Sequence, residues 1–202
     1  LKKESGSSYS VLVTPAASGV VVVSVAADVV EDMAANGNKA SNELSLAYDA
    51  DRPTVVLSTQ ATSPVNTSFT VTFTLSETVS GFELADLALG NASASDFRKT
   101  SDKVYTATIQ PATDGKVSIS IPANSMQDAA ANGNEASNKL ELTYDATAPA
   151  GYTVQFVPEL VNIENQAQVS LRVSGAEAGA NYHYSIRSSN GGADMEGTGV
   201  VF

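Results

Sequence analysis

"YTATIQPATDGKVSIS", residues 105–120, reads as two strands and the turn between them. Tyr105, Ala107 and Ile109 alternate with Thr106 and Thr108, and Val117 and Ile119 alternate with Lys116, Ser118 and Ser120. A period of two buries one face of a strand and wets the other; a helix would space its apolar residues three and four apart. The intervening "PATDG" supplies Pro, Asp and Gly, whose backbone preferences suit a tight turn.

The same alternation recurs on both sides. Phe69, Val71, Phe73 and Leu75 are separated by Thr70, Thr72 and Thr74, and Leu140, Leu142 and Tyr144 by Glu141 and Thr143. The first strand of this region is expected at Val55–Gln60, and the less regular residues 82–97 are expected to hold one or two short strands. Short, one-face-buried strands bounded by turn residues predict a two-sheet sandwich.

Composition agrees. The chain has 202 residues and a hydrophobic fraction of 43%, enough for a packed core. It has no cysteine, which excludes thiol chemistry, disulfides and Cys-ligated zinc. A formal charge of −11 argues against nucleic acid and anionic membrane partners and suits cations. No apolar run approaches the ~18 residues of a membrane span, so no membrane insertion is expected. Leu1 is not an initiator Met, and the chain is expected to be a piece of a longer polypeptide.

The chain also repeats itself. Shifted by 96 positions, residues 9–53 match residues 105–149 at 22 of 45 places. "DMAANGNKASN" (32–42) falls on "DAAANGNEASN" (128–138), and "YDADRP" (48–53) on "YDATAP" (144–149). The repeat is therefore a small domain, with a Pro-ending linker between units. Residues 1–49 are expected to be the C-terminal half of one unit, 50–146 a complete unit, and 147–202 the N-terminal part of a divergent one.

"VTFTLSETVSGFELADL" (71–87), followed by "YTATIQPATDGKVSISIPANSMQDAAANGNEASN" (105–138), resembles the bacterial Ig-like repeats of large surface proteins and adhesins. Residues 1–49 carry the second half of this pattern; "NYHYSIRSSNGGADMEGTGVV" (181–201) resembles a different bacterial Ig-like module more weakly. The resemblance implies an all-β fold of tandem immunoglobulin-like β-sandwiches, one complete and two partial. It implies a structural stalk or spacer at the bacterial cell surface or in a secreted adhesin, without catalysis. Its first partners would be neighbouring Ig-like domains of the same chain. A host-surface or glycan ligand, and an accessory spacer of a secreted enzyme, are the competing readings. Each half-unit alone leaves an apolar face and strand edges open. Self-association of half-units, by strand complementation into a head-to-tail filament, is a further alternative to an excerpted chain.

Strand direction locates the candidate site. If neighbouring strands are antiparallel, the linker, the end of strand 67–75 and the loop 122–137 share one pole. Asp49, Asp51, Glu77 and Asp128, with Asn132 and Asn134, would then converge, and Asp145 with Glu177 would serve the corresponding joint after the complete unit. Calcium takes six to eight oxygen ligands, so this cluster is a candidate Ca²⁺ site that stiffens the joint; Ig-like adhesin repeats, which the chain resembles, use interdomain Ca²⁺ in this way. The competing reading is a turn: Asn, Gly and Asp are ordinary turn residues, and Asp128 is placed to cap its own loop. The loop fails the EF-hand template, with Ala130 at the third position and Lys139 at the twelfth.

Other chemistry is thin. The single histidine, His183, should point to solvent while Tyr182 and Tyr184 share the opposite face. No nucleophile motif or zinc spacing is present. Asn190-Gly191-Gly192 reads as a hairpin turn. Asn66 and Asn91 begin N-glycosylation sequons, a pattern short enough to arise by chance. Lys139 falls on the polar side of its strand, which argues against an isopeptide bond.

Overall fold

A computed structural model describes residues 1–187, 189, 191–192 and 194–201. The chain divides into two compact units after Asp145. In order, its strands are β1 (Lys2–Lys3), β2 (Tyr9–Ser10), β3 (Gly19–Val23), β4 (Leu44–Tyr48), β5 (Val55–Thr59), β6 (Phe69–Leu75), β7 (Ala88–Gly90), β8 (Ala92–Ser101), β9 (Val104–Pro111), β10 (Gly115–Ser120) and β11 (Leu140–Tyr144) in the first unit. The second unit holds β12 (Thr153–Val157), β13 (Ser170–Ser174), β14 (Asn181–Ile186) and β15 (Met195–Val200).

Residues 54–145 form a sandwich of a four-stranded sheet, order β5-β6-β9-β8, and a three-stranded sheet, order β11-β10-β7. Every pairing between these strands is antiparallel. Four strands against three is the arrangement of an immunoglobulin-like sandwich. The inward residues are those marked by the alternation: Val71, Phe73, Ile109, Val117 and Ile119 are fully buried. Phe73, Phe82, Phe97 and Tyr105 meet mostly edge to face at 5.0–6.3 Å, with Phe97 and Tyr105 stacked, and fill one end of the core. Burying one such large side chain contributes about 1.5–3 kcal/mol.

The region 82–97 is where periodicity is least informative. It holds a 3-10 turn at Leu84–Asp86, the short β7, and the start of β8, which runs ten residues. Register shifts between Ser95 and Arg98 and between Lys99 and Ser101 break the period of two. Ala92, Ala94 and, past the first irregularity, Phe97 all pack against the core, so a strict alternation test misses the strand's length.

Residues 1–49 repeat the pairing found 96 residues later. Gly19 pairs with Tyr48 and Val23 with Leu44, as Gly115 pairs with Tyr144 and Ile119 with Leu140. Lys2 pairs with Ser10 and Lys3 with Tyr9, as Arg98 pairs with Thr106 and Lys99 with Tyr105. The packing differs: Leu46 is 68% exposed where its counterpart Leu142 is 5% exposed.

In the second unit, β12 pairs with β13 and β14 with β15. The Tyr182 and Tyr184 rings lie 6.5 Å apart on one face of β14. His183 is exposed on the other, its Nε2 3.9 Å from a Glu196 carboxylate oxygen. Gly191 and Gly192 lie between β14 and β15, and Asn190 of the expected turn lies outside the described residues. Lys139 is exposed and paired with Glu141 at 2.7 Å. Among the described residues, no helix is long and apolar enough to cross a membrane.

Candidate functional site

The loop between β10 and β11 is built around two side chains. Asn134 is fully buried. Its Oδ1 accepts the N–H groups of Ser125 and Met126 at 2.8 and 3.0 Å, and its Nδ2 donates to the carbonyls of Pro122 and Glu135 at 3.0 and 2.6 Å. Asp128 Oδ1 accepts the N–H groups of Ala130 and Asn132 at 2.9 and 2.8 Å, and its Oδ2 accepts Asn132 Nδ2 at 2.8 Å. Asn124 and Ala131 take left-handed φ values of 62° and 66°, which turn the chain back on itself.

Asp32 and Asn38 make the same bonds in the first half-unit: Asp32 accepts from Ala34 and Asn36, and Asn38 from Val29 and Val30. Within that copy Asn38 is half-buried and the residues around it are exposed. Asp128 thus caps its own loop. Burial opposes its charge, but the hydrogen bonds from Asn132 and the Ala130 and Ala131 backbone outweigh that, and the carboxyl lies below the usual aspartate range.

Asp128 also faces the joint. One oxygen each from Asp49, Glu77 and Asp128 lies within 4.8 Å of the other two. They come from the linker, from just past β6 and from the β10–β11 loop, which antiparallel pairing brings to one pole. Glu77 is half-buried, and its carboxyl is raised above the ordinary value, first by burial, then by the charges of Asp128 and Asp49; Lys103 opposes and Asp51 adds to the rise. Asp51 stands outside the trio and donates its N–H to Asp49 Oδ1 at 3.0 Å. Asn132 touches the linker through Nδ2, which donates to the Asp49 carbonyl at 3.2 Å. Asp145 sits at the other pole, following Tyr144 and bonding through its N–H to the Val65 carbonyl at 2.9 Å. Three carboxylates on separate elements form a hard, oxygen-only donor set that matches the chemistry of Ca²⁺.

Two more residues tie the structure together. Arg52 reaches the loop through Nε to the Gly133 carbonyl at 2.6 Å and through Nη2 to Asn124 Oδ1 and the Asn134 carbonyl at 2.6 and 2.9 Å. Asn138 covers the open edge of β5: its Oδ1 accepts the Leu57 N–H at 2.8 Å and its Nδ2 donates to the Leu57 carbonyl at 3.0 Å. The only signal for Arg52 was that it is the one basic residue between Tyr48 and Pro53.

A family model described as bacterial Ig-like domain matches residues 49–144. That segment is a bacterial Ig-like domain. The match spans the linker aspartate, both sheets of the sandwich and the Asn132-Gly133 loop, so the acidic trio lies within it. No curated protein matches the chain.

Proposed function

We propose that this chain is a non-catalytic spacer of a bacterial cell-surface or secreted adhesin, built to carry tension along a row of Ig-like repeats. The supporting observation is how the domain's ends are tied. The chain enters at the pole of the linker and leaves at the opposite pole, past Tyr144. Near the exit, residues 63–65 run parallel to 143–145: Thr143 N–H donates to Ser63 Oγ at 2.8 Å, Val65 N–H to the Thr143 carbonyl at 2.9 Å, and Asp145 N–H to the Val65 carbonyl at 2.9 Å. Pulling the ends apart shears these bonds together with the β5–β6 and β10–β11 ladders, so they must break as a group. Stretching single molecules end to end tests this: one discrete unfolding step of about 30 nm for residues 50–145, at ~3.4 Å per residue, is expected. Gradual extension with no step would remove the tension-bearing role.

The joint is the second part of the proposal. Asp49, Glu77 and Asp128 would hold a Ca²⁺ ion, with Asp51 and Asn132 beside it, and the ion would relieve the repulsion that raises Glu77. Melting in Ca²⁺ against chelator is the test: an ion bound only by the folded form adds about 2.7 kcal/mol at a hundredfold excess over Kd. Superimposable curves would eliminate the ion.

A further inference from the structure

We propose that Arg52 is a strap that fastens the linker to the domain it enters and holds the joint in shape without a metal ion. The inference rests on the spacer reading but not on its calcium part. The Arg52 guanidinium bonds three acceptors, the Gly133 and Asn134 carbonyls and Asn124 Oδ1, at 2.6–2.9 Å. They lie 72 to 82 residues further along the chain, on the two flanks of a single loop. A planar fork of fixed N–H directions can engage both flanks at once; a lysine ammonium offers one point charge on a flexible stem.

The receiving surface is shaped for this. A Cβ on Gly133 would collide with Asn124 Oδ1, so glycine is what lets the amide oxygen stand beside the Gly133 carbonyl. Asn124 reaches that position from a left-handed backbone, φ 62°. The next residue, Pro53, is fully buried, and its carbonyl accepts the Glu135 N–H at 2.9 Å. Arg52 and Pro53 therefore grip opposite sides of the same loop end.

Charge explains why a strap is needed. Asp49 and Asp51 sit in the linker, and a carboxylate oxygen of Asp49 lies within 4.8 Å of oxygens of Glu77 and Asp128, where like charges repel. Without a counter-hold, that repulsion favours a linker that lifts away. Arg52 answers with hydrogen bonds to uncharged oxygens and forms no carboxylate pair of its own among the described residues. The corresponding position in the next linker is Ala148, so the device belongs to one of the two linkers only.

Amide hydrogen exchange on the intact chain, in chelator, tests the strap. In Arg52→Ala, exchange at Glu135, whose N–H is tied to Pro53, should rise at least tenfold, while the buried strand 69–75 keeps its wild-type rate. Arg52→Lys should behave like Arg52→Ala. Unchanged exchange at Glu135, equal acceleration in 69–75, or full rescue by lysine would each overturn the proposal. The calcium reading fails separately, if added Ca²⁺ leaves exchange around Asp128 unchanged in the wild type.

Discussion

Asn134→Ala removes the pin of the β10–β11 loop, and its cost can be worked bond by bond. The side chain makes four hydrogen bonds and is fully buried, so water cannot replace what is lost. At a net ~1 kcal/mol for each bond, and more where a buried N–H of Met126 is left without a partner, the loss is about 3–5 kcal/mol. For a domain of this size that is a fall in melting temperature of roughly 15–30 °C. Asn38→Ala deletes the corresponding bonds of a side chain that is only half-buried, where water takes over part of them, and should cost less, about 1–2 kcal/mol. Two units in one chain make a single global transition unsafe to assume. The readout is therefore amide exchange at Val71 and Ile119, whose side chains are fully buried in the complete domain. A loss below about 1 kcal/mol for Asn134→Ala, or equal losses for both variants, would refute the claim that burial makes this side chain structural.

Other consequences can be checked in the same way. Phe73→Ala removes the fully buried ring that packs on Phe82 and Phe97 and should cost about 3–5 kcal/mol by the same amide exchange. Val23→Ala, at the position equivalent to Ile119 but 37% exposed, should be nearly silent in that readout. Glu77→Gln should raise the melting temperature in chelator, because it removes a carboxylate held against Asp128 and Asp49, and should abolish any Ca²⁺ response. The pH profile should bend for two reasons of opposite sign. Glu77 has a raised folded value, so the folded state takes up the proton first, and stability without Ca²⁺ rises as pH falls from neutral toward about 4.3. Asp128 has a lowered one, so its contribution is present above about pH 3.9 and is lost as pH falls below that. Glu77→Gln should flatten the first limb and keep the second.

Much of this architecture was legible in the chain. The strands β6, β9, β10 and β11 follow from alternation alone, because each buries one face. Antiparallel strand direction put Glu77 beside Asp49 and Asp128. The length of β8 was hidden, since its irregularities shift Phe97 onto the face held by Ala92 and Ala94. The contacts of Arg52 and of Asn138, which closes the repeated motif, were hidden for a different reason. Their partners lie 72 to 82 residues away, and local pattern carries no information about contacts at that separation. The loop question had two answers at once: Asp128 caps its own turn with Oδ1 and Oδ2, and a carboxylate oxygen of the same residue still lies within 4.8 Å of the linker and Glu77.

The spacer reading meets its most direct test when one domain is pulled along two directions. The chain contains no cysteine, so pairs of cysteines can be introduced as handles without interference. Handles at the linker and at Asp145 load the 63–65 and 143–145 bonds in shear. Handles at Ala112 and Asp145 sit at one pole and peel β10 from β11 one pair at a time, starting from Gly115 and Tyr144. A clearly higher unfolding force in the first geometry, reduced by Ser63→Ala, is the predicted result. Equal forces in the two geometries would contradict a domain built to carry tension between its ends.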